Sequence, residues 1–144
     1  MKFEIAKLSE SINKECPEVV FAILHGSAQR GIVKEGSDID IAIYINGKAS
    51  LELYQRIYGI VSSVAGDCEP DIGILNNTEP VYRFEALKGK LLFSRDEEKF
   101  LDFFSFTCRE YENQIADYER QHKYRLEAKN LKLQSNKPQS FLIS

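Results

Sequence analysis

The tightest constraint in this chain is the octet Asp38-Ile39-Asp40-Ile41-Ala42-Ile43-Tyr44-Ile45, which alternates without a break. Successive residues of a strand point to opposite faces, so Ile39, Ile41, Ile43 and Ile45 share one face. Asp38, Asp40, Ala42 and Tyr44 share the other. A helix would scatter the isoleucines around its circumference. The octet is therefore a strand, with one face committed to a core and the other carrying two carboxylates.

The neighbouring segments supply the layers that such a strand needs. Residues 3–15 place Phe3, Ile5, Leu8 and Ile12 at near-helical spacing among charges, and Pro17 ends that amphipathic helix. The continuous apolar run Val19 to Leu24 is a buried strand. Gly26-Ser27 leaves it, and Ser27 caps a short helix through Arg30 that stops at Gly31. Asn46-Gly47 turns the chain into a helix over residues 50–65. Cys68 to Leu75 is a third strand, residues 79–88 a short helix and Leu91 to Phe93 a fourth strand. From Asp96 to about Leu133 there is neither Pro nor Gly, and aromatic residues recur at helical spacing, which predicts a long C-terminal helix or two helices. The expected class is α/β or α+β, a small mixed sheet of about four strands flanked by helices.

A chain of 144 residues is most economically one domain, here residues 1–134, with a loose polar tail over 135–144. Its formal net charge of -3 leaves no global nucleic-acid footprint, and no direct nucleic-acid binding is expected. Residues 119–144 nevertheless hold six Lys/Arg against two Glu, a pattern read first as a solvated helix face. Cys16, Cys68 and Cys108 stand far apart without a CxxC pairing, which argues against a zinc site or a disulfide framework and for a reducing cytoplasm. The N-terminus lacks the apolar core of a signal peptide, and no segment approaches the ~18–20 apolar residues of a membrane span.

The chemistry resides in Gly26-Ser27, ten residues, then Asp38-x-Asp40. A strand that runs into Gly-Ser and a helix start is an anion site: Gly26 admits close backbone approach, free amides point outward and the Ser27 hydroxyl adds a donor. Asp38 and Asp40 project from one strand face with Cα atoms ~6.6 Å apart. Carboxylates so placed repel unless cations sit between them. Mg2+ takes a few carboxylates plus phosphate oxygens, and a two-metal site ~3.5–4 Å across clamps attacking and leaving oxygens at phosphorus. Asp71, among alternating apolar residues of the third strand, is the best third carboxylate.

The spacing Gly26-Ser27-x10-Asp38-x-Asp40 matches the nucleotidyltransferase signature of the DNA polymerase β-like superfamily. The stretch FAILHGSAQRGIVKEGSDIDIAIY resembles its minimal branch, the MNT proteins, whose frequent partners are HEPN-domain proteins. The likeness covers roughly residues 18–75. It implies that Gly26 and Ser27 hold the β,γ-phosphates of ATP, that Asp38 and Asp40 bind two Mg2+ ions, and that Asp71 ligates the catalytic metal and helps deprotonate the acceptor. Many members carry Arg directly after Gly-Ser; here the residue is Ala28, and Arg30 matches the later arginine of the pattern as a nucleotide-binding group. The implied activity is transfer of AMP from ATP to a tyrosine of a HEPN toxin, the chain being the antitoxin, with a homodimer or hetero-oligomer as its assembly.

The remaining candidates read more plainly. His25 at the strand end is first a structural histidine, second a residue supporting the phosphate turn. Arg83 and Lys88 are surface charges or contacts to phosphate or acceptor, and Tyr44 packs or stacks on a base. The aromatic run Phe100 to Phe106 is core, with a surplus that suggests a partner surface. HEPN nucleases use Arg-x4-6-His; Arg120 lies only two residues before His122, so RNase activity is rejected. Two other functions compete with the transferase reading: a non-catalytic antitoxin acting by occlusion, and a transferase acting on a small molecule.

Overall fold

The computed structural model describes residues 2–34 and 36–135. The chain divides into two compact units, Met1–Cys108 and Arg109–Ser144. The first holds helix α1 (Ile5–Glu15), strands β1 (Val19–His25) and β2 (Asp38–Ile45), helix α2 (Leu51–Ala65), strand β3 (Glu69–Ile74), helix α3 (Pro80–Leu87) and strand β4 (Lys90–Ser94). Helix α4 (Glu97–Ser135) begins in the first unit and makes up the described part of the second. The tail expected over 135–144 lies outside the described residues except for Ser135, the last residue of α4.

The four strands form one mixed sheet in the order β3-β2-β1-β4. β1 pairs antiparallel with β2 and with β4, while β2 pairs parallel with β3. A parallel pair needs a crossover, and α2 provides it. The Ser50 side chain accepts a hydrogen bond from Leu53 N and so caps α2.

The octet alternates as its sequence requires. Ile39, Ile41, Ile43 and Ile45 pack with Leu8 and Ile12 of α1 and with Leu53 and Ile57 of α2 in the larger core. The opposite sheet face carries a smaller core of Phe21, Ile23, Ala42, Ala86 and Leu87, against which Tyr44, Phe100 and Phe103 pack. Tyr44 therefore serves packing: its ring stacks on Phe21 at 5.2 Å between centroids and meets Phe103 at 5.0 Å. Asp38, Asp40 and Asp71 lie on this second face, toward the end of the sheet at which β2 begins.

β3 stops one residue before the sequence suggests, because Leu75 opens a 3-10 turn, Leu75–Asn77. The Asn76 amide replaces the missing strand neighbour: its Oδ1 accepts from Ile45 N at 3.0 Å and its Nδ2 donates to Ile45 O at 2.9 Å. Arg83 donates to Leu75 O and Asn76 O, holding that turn. Its guanidinium is thus built into the fold, as Lys88 is paired with Glu85 at 3.3 Å on the surface. Among the described residues no helix is long and apolar enough to cross a membrane.

Candidate active site

The turn after β1 starts earlier than expected: Ser27 lies inside it and does not cap it, since the N-cap position is His25 and no side chain caps the turn. His25 ends the strand, Gly26–Arg30 forms a 3-10 turn, and Gly31 closes it. Gly26 adopts φ +72°, and a Cβ there would collide with Asp40 Oδ2. Only glycine satisfies both demands, a left-handed backbone and the close approach of a carboxylate. Gly26 and Ser27 are exposed, and with Gln29, Arg30 and Lys90 they line a cavity of about 630 Å3. The expected phosphate-binding residues are thus brought together. Lys90, from the first position of β4, joins them as a second cation that the sequence did not single out.

Register does the rest. Asp40 stands opposite His25 in the β1–β2 pair and level with Asp71 in the β2–β3 pair. The Asp40 and Asp71 carboxyl groups are therefore neighbours on one sheet face. Burial pushes the Asp40 carboxyl above the usual carboxylate range; His25 opposes this, and the negative charges of Asp71 and Asp38 add to it. Asp38, two residues back on the same face, is exposed. Among the described residues no three His, Cys, Asp or Glu side chains converge as a ready metal cluster; the two carboxylates set side by side by register are Asp40 and Asp71. That pair is nonetheless suited to a hard divalent ion. Two like charges side by side repel unless a cation lies between them, and carboxylate oxygens are the ligands Mg2+ prefers.

Two further side chains close the site. Tyr82, from α3, brings its hydroxyl to 3.3 Å from His25 Nε2, and the rings meet edge to face at 5.7 Å and 84°. Burial lowers the His25 pKa against the pull of Asp40 and Asp71, and raises that of Tyr82, with Asp71 and Asp40 adding to the rise. The ring of Tyr82 fits because residue 73 is glycine: a Cβ there would overlap the Tyr82 hydroxyl and lie 2.7 Å from its Cζ. The glycine within β3 was the one sequence signal for this approach, since glycine inside a strand marks a close neighbour.

The fold has known relatives. Residues 6–98 match the family model described as polymerase beta, nucleotidyltransferase. No curated protein sequence matches the chain. Solved structures resemble it in fold. A chain from a mutant of the MntA-HpeT toxin-antitoxin superposes with a TM-score of 0.67 at 18% identity, over 85% of this chain and 98% of that one. A chain from a toxin-antitoxin crystallised with AMP-PNP gives 0.66 at 19% identity, over 85% and 98%. A chain from the tri-AMPylated Shewanella oneidensis HEPN toxin in complex with MNT antitoxin gives 0.61 at 18% identity, over 85% and 95%. The family match spans both carboxylate strands and the Gly-Ser turn, the parts from which the site is built. The chain belongs to the polymerase β nucleotidyltransferase family.

Proposed function

We propose that this chain is a Mg2+-dependent minimal nucleotidyltransferase, the antitoxin of a HEPN/MNT pair, which transfers AMP from ATP to a tyrosine hydroxyl of its toxin. The observation that carries this reading is the register that sets Asp71 beside Asp40, with the Gly26 backbone against the Asp40 carboxylate. The association of the fold with HEPN toxins and with AMP-PNP in the structural neighbours supports the choice of partner and nucleotide.

Asp38, Asp40 and Asp71 would hold the two ions, which when bound neutralise charge on the phosphates and lower the pKa of an oxygen nucleophile. Gly26 and Ser27 receive the terminal phosphates through backbone amides and the Ser27 hydroxyl. Arg30 and Lys90, on the wall of the same cavity, balance the phosphate charge. The acceptor oxygen forms a bond to the α-phosphorus, the bond from the α-phosphorus to the bridging oxygen breaks, and pyrophosphate leaves. The acceptor proton passes to Asp71. Positioning and charge neutralisation supply most of the rate, as is usual at phosphorus.

One observation favours occlusion as a second reading. Helix α4 leaves Tyr118, Tyr124, Leu131 and Leu133 exposed, Tyr118 at 70%. Such residues suit a protein contact that needs no chemistry. The experiment is a toxin-neutralisation assay with a HEPN-domain toxin, paired with intact-mass measurement of that toxin after incubation with ATP and Mg2+. Transfer predicts a mass gain of AMP on the toxin and loss of both gain and neutralisation in the Asp38→Asn/Asp40→Asn variant. Full neutralisation by that variant, with no AMP on the toxin, establishes occlusion instead.

A further inference from the structure

We propose that Tyr82 tethers His25 away from Asp40 and Asp71, so that both carboxylates stay available to a divalent cation. The inference rests on the reading of the site given above and adds to it a residue that acts through another, a positioning residue.

His25 faces Asp40 across the β1–β2 pair and lies within the electrostatic reach of both Asp40 and Asp71. An imidazole so close to two carboxylates has an obvious alternative: it can turn and donate a hydrogen bond to one of them. That contact would occupy the lone pairs a cation needs and would place a competing donor in the site. Here the His25 Nε2 is engaged by the Tyr82 hydroxyl at 3.3 Å instead.

Separate parts of the fold are shaped around this contact. Gly73 in β3 leaves the space in which the Tyr82 hydroxyl and Cζ sit. Gly89, between α3 and β4, lies against the other side: a Cβ there would be 2.8 Å from the His25 Cβ and 2.6 Å from Leu24 O. The His25 side chain is thus backed by one glycine, and the residue that holds its ring is seated on another. Both glycines would clash with any larger residue unless the tyrosine or the strand moved.

A tether makes a prediction that a simple stabilising contact does not. If Tyr82 is lost, His25 is released onto the carboxylates. If His25 is lost as well, nothing remains to block them. The second change should therefore repair the first.

The test is binding of Mn2+ to the full chain at one neutral pH, without nucleotide or partner, read from the electron paramagnetic resonance signal of free Mn2+. Thermal melting of each variant by circular dichroism shows that it is folded. Tyr82→Phe should weaken Mn2+ binding by about tenfold, the scale of a hydrogen bond to a charged group. His25→Asn should bind as the unaltered chain does, and the Tyr82→Phe/His25→Asn double variant should recover that affinity. Gly73→Ala, which evicts the tyrosine without altering it, should repeat the loss. Unaltered Mn2+ affinity in Tyr82→Phe, or a double variant as weak as Tyr82→Phe, overturns the tether. Asp40→Asn separates the levels: if it abolishes Mn2+ binding while Tyr82→Phe has no effect, only the tether fails. If Asp40→Asn binds Mn2+ normally, the cation-binding reading of the site fails with it.

Discussion

Asp40 concentrates the conflict between stability and chemistry in this fold. Its carboxyl is partly buried, level with Asp71 and opposed by His25, with Asp38 two residues away and Tyr82 nearby. Burial raises its pKa on folding, so the folded chain holds that proton more tightly than the unfolded chain. The folded state therefore loses stability as pH rises from the ordinary aspartate range through the raised value, as the carboxyl takes on its charge. Asp40→Asn removes the charge and should melt above the unaltered chain by about 2–5 °C at pH 7 in metal-free buffer. That gap should close as pH falls below the ordinary aspartate range. Added Mg2+ should raise the melting temperature of the unaltered chain and leave that of the variant unmoved. A variant that melts lower at pH 7, or a gap independent of pH, would contradict this account of Asp40.

At the scale of elements, the sheet was legible because each signal was local. The isoleucine alternation of residues 38–45 gave β2 and its faces, the Asn46-Gly47 turn gave the approach to α2, and the Gly26-Ser27 turn gave the end of β1. Contacts between distant segments were not legible in this way. His25 and Tyr82 are separated by 57 residues, and Lys90 reaches the cavity beside Gly26 and Ser27 from β4. Arg83, an open candidate for phosphate or acceptor in the sequence, instead holds the turn after β3, because its donors find the carbonyls of Leu75 and Asn76. Arg95 is a similar case. It follows β4 and donates to Val19 O at 2.7 Å, to Cys16 O at 2.9 Å and to Asn13 O, so it joins the carbonyls at the end of α1 to the sheet. Arg95→Ala should cost about 1–2 kcal/mol, seen as a lower urea midpoint with an unchanged slope. ATP binding should survive, since Arg95 touches no residue of the site. An unchanged midpoint would show that water replaces these contacts without loss.

For the molecule as a whole, family membership follows from the continuous match over residues 6–98, and the expected mixed sheet with a long C-terminal helix is the one observed. The roles of Asp38, Asp40, Asp71, Gly26, Ser27 and Arg30 are the substance of the proposal, and they make one joint demand: nucleotide and cation must bind together. The measurement that tests this most directly is isothermal titration of ATP into the full chain, with Mg2+ and again with a chelator in its place. The account predicts saturable heat with Mg2+, none with the chelator, and none with Mg2+ in Asp40→Asn. Equal ATP binding in the chelator, or in Asp40→Asn, would contradict it.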